Sequence, residues 1–218
     1  MKKIYAVYNG SFSCLEDIKI SPLSRAYTFS DSVYEVIPFF KSNIIAYDKH
    51  IERLKKSCES LSFVIDANNI ENEILELINK ISFENGYVYY QISRGVDPIR
   101  SHMFDKKLSI ETFGYVVEHS FSPQKMKVMI SEDLRWQRCD IKSTSLLGNV
   151  MSMNQAKDKG CGEVIMHKDN IITEGGASNV FFTDNDCVYT PSLSSNILPG
   201  ITRDLLINKL KEAGIKVE

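Results

Sequence analysis

A chain of 218 residues, 43% hydrophobic and 25% charged, has enough apolar material for a packed core and room for one large domain or two small ones. Its 26 basic and 28 acidic side chains are mixed along the length and leave a formal charge of −2; this excludes the basic footprint of a nucleic-acid binder and favours a small-molecule ligand or a protein partner. Five scattered cysteines without a Cys-x-x-Cys pair argue against a disulfide scaffold or zinc site, and the apolar stretch Ile4 to Val7 is too short for a signal-peptide core, so a cytoplasmic protein with free thiols and no membrane span is expected.

Asn9-Gly10, behind Ile4–Tyr8, reads as a hairpin turn, because both central positions of that turn favour positive φ. Val33–Phe40 and Ile44–Tyr47 read as strands about a turn at Ser42-Asn43. Asp48 then reads as a helix N-cap, with Ile51, Leu54, Cys58 and Leu61 at helical spacing. A second helix is predicted from about Asn68 to Ile81, followed by strands near Tyr87–Ser93 and Leu108–Glu118. Ser120–Gln124, with Pro123, is the expected linker. Beyond it come a strand at Lys127–Ser131, a helix over Leu147–Lys159, and short strands near Glu163–His167, Ile171–Thr173, Val180–Thr183 and Cys187–Thr190. A last helix, Thr202 to Ala213, ends at Gly214, a left-handed cap position. Ile215-Lys216-Val217 starts another strand just before Glu218, so the sequence reads as interrupted there. The expected organisation is α/β: an α+β layer domain over residues 1–120 and an incomplete, barrel-like α/β domain over 121–218.

Common single motifs fail. Gly160-Cys161-Gly162 has Ile165 where a dinucleotide loop needs its third glycine, and no P-loop, His-Glu-x-x-His or Gly-x-Ser-x-Gly occurs. The four histidines (His50, His102, His119, His167) lack metal-ligand spacing, so no metal is expected.

Several separated segments carry more. They are Asp31-Ser32-Val33-Tyr34-Glu35, His50-Ile51-Glu52-Arg53-Leu54, Arg94-Gly95 with Pro98-Ile99-Arg100-Ser101-His102, Arg135 to Ser143 followed by Leu146-Leu147-Gly148-Asn149, Thr173 to Phe181, and Leu198 to Arg203. In order and spacing the chain, from its N-terminus to Glu218, resembles the fold-type IV pyridoxal-phosphate enzymes, and among them the D-amino-acid (D-alanine) aminotransferases.

The resemblance implies pyridoxal 5′-phosphate as cofactor, with Lys142 as the catalytic lysine that bonds its aldehyde. Lysine suits this role because its amine loses charge readily when buried. Glu174 would sit beside the pyridine nitrogen and keep it protonated. Arg53, placed beside the apolar stripe of its helix and free to face a ligand, would bind the phosphate, together with Ile201 and Thr202 at a helix N-terminus. Tyr34, Arg100 and His102 would hold the substrate carboxylate, the last two reaching across a homodimer interface, and so select handedness. Without the resemblance these residues read as a solvated lysine, a turn glutamate, a helix cap at Thr202 and an unremarked surface Arg-x-His.

The implied reaction moves an amino group from a D-amino acid such as D-alanine to a 2-oxo acid such as 2-oxoglutarate, ping-pong through the pyridoxamine form. Branched-chain aminotransferase and aminodeoxychorismate lyase share the implied fold, and a non-catalytic cofactor-binding or truncated protein is the reading from another class. The sequence departs from the family at Ser30 and Ser32, where glycines flank the aspartate, at Gly176 and Ala177, where serines are common, and after Glu218, where family members continue.

Overall fold

A computed structural model describes residues 3–184 and 186–218; Met1, Lys2 and Asn185 lie outside the described residues. The chain forms two compact units, Met1–Ser122 with Lys142–Thr144, and Pro123–Ile141 with Ser145–Glu218.

The first unit is built on a six-stranded sheet in the order β2-β1-β6-β5-β3-β4. Its strands are β1 (Tyr5–Tyr8), β2 (Ser11–Cys14), β3 (Ser32–Phe40), β4 (Asn43–Ile44), β5 (Gly86–Ser93) and β6 (Glu111–Glu118), each neighbour antiparallel. Asn9 and Gly10 turn β1 into β2 with φ of 48° and 77°, the positive pair a two-residue hairpin turn requires.

Strand alternation sets the core. Val33, Ile37 and Phe39 of β3 are fully buried, in register with Ile92, Val88 and Gly86 of β5. Short helix α1 (Arg25–Phe29) precedes β3, while α2 (Tyr47–Ser60) packs on β3 and α3 (Ala67–Asn79) packs on β1, β5 and β6. Ile70, Ile74 and Leu77 recur at helical spacing and are the buried face of α3. Gly114 lets α3 come close: a Cβ there would lie 2.9 Å from the Tyr90 ring and 3.2 Å from Leu77. Burying a leucine such as Leu77 is worth about 1.5–3 kcal/mol.

The second unit contains β7 (Val128–Glu132), α4 (Leu147–Asp158), β8 (Glu163–Lys168), β9 (Ile171–Gly175), β10 (Phe182–Thr183), β11 (Cys187–Tyr189), α5 (Ile201–Glu212) and β12 (Lys216–Val217). Its described strands make two three-stranded sheets, β7-β8-β9 and β10-β11-β12, which with α4 and α5 form the α/β arrangement read from sequence. Parallel pairing of β7 with β8 demands a crossover, which α4 supplies. Met129, Ala156, Val164 and Met166 form the core beneath it. Gly214, at φ 74°, closes α5 as expected, and β12 then runs parallel to β11.

Several boundaries move, and four of the shifts have a local reason. The β3–β4 turn falls on Lys41 and Ser42, both at positive φ. Ile45 to Tyr47 does not continue β4, because Ala46 turns left-handed (φ 50°) and starts α2; Asp48 therefore lies in the first turn and is not the N-cap. β6 starts at Glu111, since residues 105–108 close a turn in which Leu108 N–H donates to the Asp105 carbonyl (3.2 Å). Asp66, not assigned in sequence, caps α3 by accepting from the Asn68 and Asn69 amides. Among the described residues no helix is long and apolar enough to cross a membrane.

Candidate active site

Lys142 belongs to the first unit through a short segment added to the edge of β3. Tyr34 N–H donates to the Lys142 carbonyl (2.9 Å), Thr144 N–H to the Ser32 carbonyl (3.1 Å), and Val33 bridges Ser143. Ser57 of α2 accepts from the Lys142 amide (3.3 Å). Ser32, which departs from glycine, contributes a bond glycine could not make: its Oγ lies 2.5 Å from Thr144 Oγ1. The Lys142 Nζ sits 4.3 Å from the Tyr34 ring centroid, within cation–π range. Tyr34 in turn stacks on Tyr89 (5.5 Å), and Tyr89 on Tyr115 (5.1 Å), on the half-buried face of the sheet.

The opposite phase of β3 holds a charge. Glu35 is fully buried, at the same parity as Val33 and Ile37. Its carboxylate accepts from Arg53 Nε (2.8 Å) and Nη2 (2.7 Å), and lies 2.8 Å from His50 Nδ1. Burial alone would raise the Glu35 carboxyl; hydrogen bonds from Arg53 and His50, with the charges of Arg53 and Lys142, outweigh it and hold the group below its ordinary value. An ionised carboxylate only accepts, so His50 presents Nδ1–H to it. Arg53 thus does not stand free beside its helix stripe: two of its nitrogens are engaged by Glu35 and its side chain is 11% exposed.

Arg100 and His102 stand exposed on the 94–110 connection between β5 and β6. Both lie against one ring, with the Arg100 guanidinium 4.4 Å from the Phe29 centroid and the His102 ring 5.2 Å from it.

In the second unit Glu174 is buried near the end of β9. Its Oε1 accepts from Arg135 Nη1 (2.5 Å), and its Oε2 from Asn179 Nδ2 (3.1 Å) and the Leu198 amide (3.1 Å). Burial raises the Glu174 carboxyl, while Arg135 and the Leu198 amide limit the rise. Arg135 is itself fixed by Asp133 through Nε (2.9 Å) and Nη2 (2.7 Å), and Asp133 accepts from Thr173 (2.7 Å).

Asn179 joins two motifs that are separate in sequence. Besides Glu174 it donates to the Leu198 carbonyl (3.0 Å), and a side chain at Gly200 would run into its amide. The N-terminus of α5 is thereby packed beside Glu174. Gly200 caps that helix with no side-chain hydrogen bond, leaving the first-turn amides at Ile201 and Thr202 to other acceptors. Ile201 is buried and Thr202 exposed. Gly176, a second departure, has its own reason: a Cβ there would meet the Met153 side chain.

Sequence reasoning named no role for Glu35, His50, Ser57, Arg135, Asp133 or Asn179. Glu35 had a legible signal, a charge at the core parity of an apolar strand; the partners of Glu174 had none, being set by loop geometry.

The model of the amino-transferase class IV family matches residues 32–218. The D-alanine aminotransferase of Staphylococcus epidermidis is 34% identical over 215 residues, covering 94% of this chain and 74% of that protein. That of Bacillus licheniformis is 31% identical over 219 residues, covering 97% and 77%. The branched-chain amino acid aminotransferase of Escherichia coli superposes with a TM-score of 0.90 at 24% identity, covering all of this chain and 77% of that one, a likeness of fold. With its family model spanning both units, the chain belongs to the class IV aminotransferases.

Proposed function

We propose that the protein is a pyridoxal 5′-phosphate-dependent transaminase that takes the amino group of a D-amino acid such as D-alanine and passes it to a 2-oxo acid such as 2-oxoglutarate. The observation that carries this reading is the 34% identity to a D-alanine aminotransferase over 94% of the chain.

The residues fit the cofactor. A phosphorylated pyridine aldehyde asks for an amine, a carboxylate near its ring nitrogen and a phosphate cradle. Lys142 offers the amine; Glu174 offers a carboxylate braced by Arg135; the α5 N-terminus offers amides with no side-chain cap. When bound, the cofactor supplies an aldehyde carbon for the substrate amine and a ring that stores electrons. Lys142 Nζ holds the α-proton between its removal and its return. Tyr34, whose ring carries Lys142, fixes where that amine stands. Glu174 holds a proton on the ring nitrogen, and Arg135, hydrogen-bonded to Glu174, opposes the burial that raises its carboxyl. Arg53, with Ile201 and Thr202, binds the phosphate, and the Arg53–Glu35 pair sets the orientation of its fork. Tyr34, Arg100 and His102 bind the substrate carboxylate; Arg100 and His102 act from the partner of a cytoplasmic homodimer.

Absorption of the purified chain with pyridoxal 5′-phosphate tests this. The expected result is a long-wavelength band, absent from Lys142→Ala, that D-alanine bleaches and L-alanine does not. A band bleached by L-leucine in place of D-alanine would support the branched-chain alternative. Failure to form a Lys142-dependent band at saturating cofactor would overturn the proposal.

A further inference from the structure

We propose that Arg25 is a positioning residue for substrate binding: it fixes the backbone of the loop from which Arg100 and His102 project. The inference rests on the reading that those two side chains bind the substrate carboxylate.

The 94–110 connection has no extended secondary structure of its own, so its order must come from contacts. Its two ends are clamped. Gly95 adopts φ 110°, and its missing Cβ leaves room for the Ser109 carbonyl; the Arg25 amide donates to the Gly95 carbonyl (2.8 Å), and Ser24 bridges Val96. The part that carries Arg100 and His102 is held by the Arg25 side chain. That residue is 3% exposed, so each donor it buries needs an acceptor. Nε donates to Asp31 (2.8 Å), and Nη1 donates to Asp97 and to the Ser101 carbonyl (2.7 Å). Ser101 separates Arg100 from His102, and its carbonyl belongs to the peptide that enters His102.

Charge closes around this anchor. Arg94 binds Asp31 through Nε (2.7 Å) and Nη2 (3.1 Å), so two guanidiniums meet the carboxylates of Asp31 and Asp97. The Phe104 ring, beyond His102, lies 3.7 Å from the Arg94 guanidinium and 5.4 Å from that of Arg25. Phe29 takes Arg25 at 4.6 Å and Arg100 at 4.4 Å. Exposed Arg100 and His102 therefore stand on a buried base that allows their backbone one path. A lysine at 25 keeps the charge, but a single ammonium cannot span Asp31, Asp97 and the Ser101 carbonyl in this geometry.

The test compares the wild-type chain with Arg25→Lys, Asp97→Asn and Arg100→Ala, each checked by thermal unfolding. Trypsin cleavage after Arg100 reads the loop without cofactor or turnover. Arg25→Lys and Asp97→Asn should accelerate it on the order of tenfold while other sites keep their rates. With pyridoxal 5′-phosphate bound, both should raise KM for D-alanine on the order of tenfold with kcat nearly unchanged, and Arg25→Lys should add little in an Arg100→Ala background. If Arg25→Lys does not fold, Asp97→Asn, which removes one anchor and keeps the arginine, carries the test.

A variant with lowered melting temperature but unchanged cleavage and KM would reduce Arg25 to a structural role and overturn the inference. So would effects of Arg25→Lys and Arg100→Ala that add in full. Unchanged KM in Arg100→Ala would instead overturn the carboxylate reading, while faster cleavage in Arg25→Lys would still establish the clamp.

Discussion

Replacing Glu35 with glutamine changes one buried carboxylate and no volume. The carboxylate accepts from two Arg53 nitrogens and faces His50 Nδ1, all at 2.7–2.8 Å, and is fully buried. A glutamine offers one carbonyl oxygen to these donors and turns an NH2 group toward another. It takes the Glu35 charge away from the largely buried Arg53 cation. Removing one partner of such a pair costs about 3–5 kcal/mol. Urea unfolding followed by circular dichroism should therefore show a lower midpoint with an unchanged m-value. Glu52→Gln, in the exposed pair with Lys56, should leave the midpoint where it is. The pH dependence supplies the second arm. Glu35 is held below its ordinary value, so its stabilisation is complete above the unfolded glutamate pKa of about 4.3 and is lost as pH falls through its lower folded value. The gap between wild type and variant should be flat near neutrality and close in acid. A loss below about 1 kcal/mol, inside the range of an exposed pair, would refute the reasoning; so would a gap that widens on acidification.

Two smaller perturbations test the frame that holds these residues. Leu77→Ala opens a cavity under β6 where Leu77 is fully buried, and should cost about 2–5 kcal/mol in chemical unfolding. Asp66→Ala removes the acceptor for the Asn68 and Asn69 amides and should cost about 1 kcal/mol, with an asparagine at 66 recovering most of it.

The periodic parts of the fold were readable because burial imposes period. Apolar alternation along Val33–Phe40 and the helical spacing of Ile70, Ile74 and Leu77 each matched an element to within a residue or two. The ends were less readable. Ala46 carries no mark of a residue that turns left-handed, and Asp48 resembles a cap more than Ala46 does. The site divides in the same way. Lys142, Glu174 and the Gly200–Thr202 turn stood in recognisable motifs, but their meaning came from resemblance, since a lysine in a loop has no period. What braces them stayed hidden, because Arg135, Asp133 and Asn179 act across spans that only the folded chain closes. Glu35 and His50 are the intermediate case. Strand parity and helix phase turn both inward, and a polar residue at a core position signals a partner before any partner is known.

The three residues Lys142–Thr144 also bear on the order of folding. They leave the second unit, pair with Ser32, Val33 and Tyr34, and return. Contacts so distant along the chain close slowly, because the entropy of a long loop is lost before any bond rewards it. During synthesis β3 is made long before residue 142 and waits for it. Until that closure, the Lys142 amine has neither the Tyr34 ring beneath it nor the field of Glu35, and it is an ordinary solvated lysine. The surroundings of that amine are thus complete only once two stretches far apart in the chain have met.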